Sequence, residues 1–215
     1  GLVLVAAMAA GALWALVPAL LKAMRGVHEV ITTIMLNFVA FSVSRYLVSP
    51  DGLLVSATQP AATDPVRESA QLPRIWAPTR LHAGIFVAGA AGIAAWYLLF
   101  RTPLGYRLRV VGRNPVAARY LGISPARTIV KTMLLSGAFA GLAGAVEVLG
   151  LHRRYFDSFS PGYGFDAIAV ALLGFLTPIG VAVAAAFFGM LRAGSVLPQL
   201  EAGVSRDLIS ILSRL

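Results

Sequence analysis

Long apolar runs closed by basic residues dominate the pattern of this chain. Residues 1–21 are almost wholly apolar, and Lys22 and Arg25 follow at once. Further apolar runs cover 28–48, 83–100 and 127–150; a longer one covers 165–197 with a break at Thr177–Gly180, and another begins at 207. A helix needs about 20 mostly apolar residues to cross the hydrocarbon core of a bilayer. The runs therefore predict an all-α, polytopic helical membrane protein, with 83–100 a little short for a span. A signal peptide is the competing reading of residues 1–21, but its positive charges should precede the apolar stretch. The chain opens inside a hydrophobic run at Gly1 and closes on "DLISILSRL", too short to span, so we expect a piece of a longer chain, trimmed at both ends.

Composition supports one membrane domain over residues 1–215. The chain is 58% hydrophobic and 13% charged, with a mean hydropathy of +0.80. A soluble domain averages about 45–50% apolar and about 25% charged. There is no cysteine, so the sequence supports no disulfide framework, thiolate chemistry or metal site. The net charge of +9 could suit nucleic acid, but the positives bracket apolar segments instead of forming one stripe. We therefore expect membrane lipid, and no nucleic acid, as a contact.

Charge also orients the chain. Seven positives and no acid lie from Arg101 to Lys131, whereas the proline-rich segment 49–82 mixes Arg67, Arg74 and Arg80 with Asp51, Asp64 and Glu68. Cytoplasmic connections carry the excess of Lys and Arg. That places 101–126 in the cytoplasm and 49–82 outside, and the turn with Lys22 and Arg25 then falls in the cytoplasm by helix parity. Arg153 and Arg154 fall outside, beside Asp157, against the trend.

Within the basic connection lies "GRNPVAARYLGI", Gly112 to Ile123. Asn114 suits an N-cap and Pro115 the first helical position, where a missing N–H is harmless. Gly122 supplies a residue able to turn left-handed after the helix. Ser124-Pro125 repeats the cap-and-proline device to launch the next helix. A helix of about two turns is thus expected along the cytoplasmic face, over 114–121. Two readings stand from the residues alone: a capped connection whose arginines face anionic lipid, or a contact for another protein.

Polar residues inside spans are costly and usually face a bundle interior. Thr33, Asn37 and Ser44 recur on one face of the second span; they either line a solute pathway or, as Asn37 could, hydrogen-bond a neighbouring helix. Glu147, in the last turn of the fourth span, is either solvated or part of an external vestibule. Asp166 reads as a first-turn helix acid. His28 and Glu29 are adjacent, a poor metal pair. In "GAFAGLAG", Gly137 and Gly141, like Ala140 and Gly144, form a small-residue packing face. The Thr177–Gly180 break fits either a discontinuous helix that exposes backbone to a cavity or a plain proline kink.

The blocks "GVHEVITTIMLNFVAF", "RTPLGYRLRVVGRNPVAARYLGI", "SGAFAGLAGAVEVLG" and "FSPGYGFDAIAVALLG" carry a resemblance. In order and over nearly the whole chain they resemble the ABC-transporter permeases of the branched-chain amino acid, ribose and nucleoside importer superfamily. The nearest branch is the simple-sugar/nucleoside one that works with basic-membrane-protein-type binding lipoproteins. "LLGFLTPIG" departs from it at Phe175 and Thr177, where related sequences show a glycine- or asparagine-rich break.

The resemblance implies that 112–123 holds a coupling helix docking on a cytoplasmic ATPase. Gly112, Asn114, Pro115, Ala117, Ala118, Gly122 and Ile123 match the block. Ala117 and Ala118 would allow close approach, Tyr120 and Leu121 would anchor in a cleft, and Arg113 and Arg119 would meet acids on its rim. The chain has no G-x-x-x-x-G-K-[ST], so it binds no nucleotide of its own by that motif, and ATP would be used by a partner subunit. The implied setting is the bacterial cell (inner) membrane, with a second permease subunit, homologous or identical, and an extracytoplasmic solute-binding lipoprotein. The expected solute is a nucleoside, then a simple sugar, then a branched-chain amino acid. An intramembrane enzyme is the rival class, but His28, His82 and His152 sit at span ends and there is no G-x-S-x-G. A passive channel is the third, and it leaves the capped cytoplasmic helix without a purpose.

Overall fold

The computed structural model describes residues 1–50, 52–56, 61–76, 81–157, 159 and 162–194. The expected span beginning at 207 lies outside the described residues. The elements are α1 (Leu2–Arg25), α2 (Glu29–Leu47), a 3₁₀ turn (Glu68–Ala70), α3 (Gly84–Arg101), α4 (Pro103–Arg113), α5 (Pro115–Tyr120) and α6 (Pro125–Glu147). A π-helical segment (Val148–His152) extends α6, and α7 (Tyr163–Leu173) and α8 (Pro178–Gly194) follow. Four of these are long and apolar enough to cross a membrane: α1, α2, α3, and α6 carried through to His152. The protein is all-α and polytopic. The described residues up to 159 and those from 162 to 194 form two compact units, taken in turn.

In the first unit α1 and α6 pack most closely. A Cβ on Gly11 would lie 2.2 Å from the Gly137 oxygen, and one on Gly141 would lie 2.2 Å from the Ala7 oxygen. Lipid tails are as apolar as leucine, so helices associate in a bilayer through close van der Waals contact, which small residues permit. Gly137 and Gly141 are used in this way, while a Cβ on Gly144 would meet open space.

Two connections meet at one end of this unit. The chain after α2 runs antiparallel to the chain after α6. Asp157 N–H donates to the Ala61 carbonyl at 3.1 Å, Thr63 N–H to Tyr155 at 2.9 Å, Val66 N–H to Arg153 at 2.8 Å and Leu72 N–H to Leu149 at 3.1 Å. Arg153, in the left-handed region with φ 58°, turns the chain out of the π segment. Arg45 at the end of α2 reaches Asp157 at 3.2 Å. The acid beside Arg153 and Arg154 is thus engaged by Arg45.

At the opposite end, the basic connection is more helical than the sequence reading had it. No helix is assigned to 101–113 from the sequence; the structure forms α4 there. Leu104, Leu108 and Val111 recur at helical spacing, and Thr102-Pro103 starts the helix as a cap followed by proline.

In the second unit the stretch read as one interrupted span folds as a hairpin of two short helices. Asp166 near the start of α7 pairs with Arg192 near the end of α8 at 3.5 Å, and Arg192 stacks over the Tyr163 ring at 4.5 Å. The break lies at Gly174–Thr177, earlier than the expected Thr177–Gly180. Phe175 and Leu176 take left-handed φ values of 52° and 55°. Thr177 Oγ1 donates to the Gly174 carbonyl at 3.0 Å and accepts from Gly180 N–H at 3.2 Å. Thr177 is therefore a cap and Pro178 the first residue of α8, so the proline starts a helix here and kinks none.

Candidate functional site

The corner formed by α4, α5 and the start of α6 is assembled from local hydrogen bonds. Thr102 Oγ1 donates to the Leu98 carbonyl at 2.6 Å and accepts from Gly105 N–H at 3.2 Å, so one hydroxyl closes α3 and opens α4. Arg109 donates to the Leu99 carbonyl and lies over the Phe100 ring at 5.2 Å, satisfying another terminal carbonyl of α3. Gly105 is required by contact: a Cβ there would lie 2.2 Å from the Leu98 oxygen.

Asn114 joins two helices in one residue. Its N–H closes α4 on the Val110 carbonyl at 3.0 Å, and its Oδ1 accepts from Val116 N–H at 2.9 Å and Ala117 N–H at 3.0 Å to open α5. Pro115 follows in the first helical position. The far end of α5 is a Schellman motif. Gly122 has φ 72°, its N–H donates to the Arg119 carbonyl at 2.9 Å, and Ile123 N–H donates to the Ala118 carbonyl at 2.9 Å. Ser124 then caps α6 by accepting from Arg127 N–H at 3.5 Å, and Thr128 Oγ1 donates back to the Ser124 carbonyl at 2.8 Å.

These contacts divide α5 into two faces. Ala118 is 0% exposed, and α5 packs on α4 and α6, whose Val111 and Thr128 are also buried. Ala118 thus belongs to this chain's own packing, a correction to the expectation that it offers close approach to a partner. The outward face carries Tyr120 at 89% exposure together with Val116, Leu121, Arg113, Ala117 and Arg119. A Cβ on Gly112 would meet nothing within 4 Å, so local packing makes no demand for glycine there. Large exposed apolar residues on a rigid, basic helix are suited to a protein surface with an apolar pocket and acidic rim.

The polar face of α2 is arranged differently. No residue of α2 is buried. Thr33 Oγ1 donates to the Glu29 carbonyl of its own helix at 2.9 Å, so its proton is already used. Asn37 is exposed and Ser44 half-buried. Lys22 and Glu29 form an ion pair where α1 turns into α2.

Glu147 stands apart from that face. Its Oε1 lies 3.4 Å from His152 Nε2, and His152 meets the Phe156 ring edge-on at 4.9 Å. Glu147 Oε1, His152 Nε2 and Arg153 Nε are buried without a hydrogen-bond partner. Solvation or a place in an external vestibule is the sequence expectation for Glu147; the structure sets its part-buried carboxylate against the His152 ring. Sequence reasoning also missed α4 and with it Arg107, although Thr102-Pro103 repeats the Asn114-Pro115 and Ser124-Pro125 signal.

The family model described as "branched-chain amino acid transport system / permease component" matches residues 2–212. The chain belongs to this permease family. Among curated relatives of this permease, the guanosine ABC transporter permease protein NupP of Bacillus subtilis is 41% identical over 98% of this chain and 61% of its own length. The glucose ABC transporter permease protein TsgB13 of Haloferax volcanii is 36% identical over 100% of this chain and 59% of its own. The nucleoside ABC transporter permease protein NupB of Lactococcus lactis is 34% identical over 90% of this chain and 56% of its own. The chain therefore spans somewhat over half the length of these relatives. No solved structure matches it significantly.

Proposed function

We propose that this permease is the membrane-spanning subunit of an ATP-driven importer of nucleosides in a bacterial cell membrane. It works with a cytoplasmic ATPase, a second permease subunit and an extracytoplasmic binding lipoprotein, and it performs no hydrolysis itself. The observation that carries the solute is the 41% identity, over 98% of this chain, to a protein named as a guanosine permease. A sugar is the second reading, favoured by the 36% identity to a glucose permease over the whole chain.

The geometry supports a coupling role for α5. A helix that transmits a push must keep its shape, and both ends of α5 are closed by side-chain or backbone hydrogen bonds. Its exposed Tyr120 and Leu121 would seat in the ATPase, while Thr33, Asn37 and Ser44 on α2 would face the solute path. Glu147 would sit at the outer end of that path.

The test is uptake into proteoliposomes holding the full-length permeases, the ATPase and the binding lipoprotein. Labelled guanosine should accumulate only with ATP and be displaced by unlabelled nucleosides, not by glucose; displacement by glucose alone would establish the sugar reading. Tyr120→Ala should weaken ATPase recovery in a pull-down by at least tenfold, as an exposed aromatic anchor does. Equal recovery from wild type and variant would remove α5 from the coupling role.

A further inference from the structure

We propose that a second site lies beside α5: the cleft between α4 and the start of α6 binds the headgroup of an anionic phospholipid of the cytoplasmic leaflet. The proposal rests on the cytoplasmic orientation in the reading above and is independent of the solute. The cleft has a volume of about 540 Å³, and its cations are Arg107, Arg127 and Lys131. Its apolar wall includes Leu104, Leu108 and Ile123.

Charge is one-sided here. The sequence holds no Asp or Glu between Glu68 and Glu147, so no acid of this region can neutralise the three cations. Neighbouring arginines are occupied: Arg109 by the Leu99 carbonyl and the Phe100 ring, Arg101 by the Trp96 ring at 5.5 Å. Among the described residues no carboxylate pairs with Arg107, Arg127 or Lys131.

The hydroxyls in the cleft favour an anion too. Of its three hydroxyls, Thr102 and Thr128 give their protons to the Leu98 and Ser124 carbonyls, which leaves Ser124 as the neutral hydroxyl donor. The donors left in the cleft are therefore chiefly cationic, which suits phosphate oxygens better than a neutral polyol. Level and shape favour a lipid over a soluble anion or an ATPase surface. The cleft lies where two spans end, α3 at Arg101 and α6 at Pro125, which is the depth of the headgroups. It is concave with apolar flanks for an acyl chain, whereas α5 offers a protein partner the projecting Tyr120. Basic pockets between spans on the cytoplasmic side hold anionic headgroups in this way.

The experiment is native mass spectrometry of the full-length permease in its assembled transporter, released from nanodiscs of phosphatidylcholine and phosphatidylglycerol. Wild type should retain phosphatidylglycerol in preference to phosphatidylcholine. Each cation near the surface contributes roughly fivefold, so Arg107→Gln/Arg127→Gln/Lys131→Gln should weaken retention on the order of a hundredfold. Arg25→Gln, which removes a cytoplasmic cation outside the cleft, should leave retention unchanged. Should the triple variant fail to assemble, Lys131→Gln alone decides by the presence or absence of its roughly fivefold loss. Undiminished retention in these variants overturns the proposal. So does displacement of the lipid by millimolar inorganic phosphate, which would make this a soluble-anion site. Loss of the ATPase with lipid retained would assign the cleft to the protein partner. Lipid counts do not depend on uptake, so failure of the nucleoside reading leaves this result intact.

Discussion

The two ends of the first unit are held together by opposite means. At the α4–α5–α6 corner, bonds bridge only a few positions: Gly105 to Thr102, Val116 to Asn114, Ile123 to Ala118 and Arg127 to Ser124. At the end where the connections after α2 and α6 meet they bridge distant parts of the chain, as when Tyr155 N–H donates to Thr63 Oγ1 across 92 positions. A locally bonded corner keeps its own shape wherever it is carried. A long-range cap ties α2, the following connection and α6 into one arrangement, and it lasts only while they stay together. Under the coupling role proposed for α5, the first design suits the part that is pushed.

Glycine substitutions at the two ends should give the largest contrast. A Cβ on Gly105 would meet the backbone oxygens of Leu98 and Leu99 at 2.2 and 2.3 Å, and backbone within a helix corner has little room to yield. On Gly150 it would meet the His82 ring, at 2.4 Å from Cε1, and a side chain can turn away. Gly105→Val should therefore cost about 3 kcal/mol, at the upper end for overpacking, and Gly150→Val about 1 kcal/mol. Thermal unfolding of the two variants in matched detergent measures the difference. A larger loss at Gly150 would mean that the long-range cap, not the locally bonded corner, is the rigid end.

The cap of α5 comes next. Asn114→Ala removes the acceptor of two N–H groups and should cost about 1 kcal/mol, while Asn114→Ser should recover most of it. Hydrogen exchange is the measurement that sharpens the comparison. Protection should fall across 115–123 and remain unchanged across 149–157. A fall at both places would show that the corner is not an independent unit.

This contrast also decides what could be read from the sequence. Cap-and-proline pairs act within one turn of helix, so Asn114-Pro115, Gly122 and Ser124-Pro125 were visible in the residues themselves. Thr102-Pro103 and Thr177-Pro178 carry the same signal, the first among many arginines and the second inside an apolar run that reads as one interrupted span. The span positions follow from apolar length, which needs no partner. Ala118 was different: nothing in "VAARYL" says which alanine turns inward, because that depends on where α4 and α6 lie. The Glu147–His152 contact and the joining of 61–72 to 149–157 depend on distant segments meeting, and no local pattern records them. Thr33, Asn37 and Ser44 share a face by periodicity alone, and periodicity does not say what that face meets.

The smallest effect expected is at Arg45, and it tests whether the long-range cap is built of many weak ties. The Arg45 side chain is 71% exposed and that of Asp157 29%, with 3.2 Å between Nε and Oδ2. An exposed pair of this kind contributes about 0–1 kcal/mol, because solvent screens the charges and holding a long side chain costs entropy. Asp157 is also fixed by its backbone N–H on the Ala61 carbonyl, a bond that does not involve Arg45. Arg45→Gln should thus shift stability by less than about 0.5 kcal/mol, and the shift should vanish near 1 M salt, where charges are screened within about 3 Å. Thermal unfolding at low and high salt is sufficient to measure it. A salt-insensitive loss of about 2 kcal/mol or more would mean that the pair is shielded from water in the assembled protein. The C-terminal end of α2 would then be anchored by that one contact, and the contrast between the two ends would shrink accordingly.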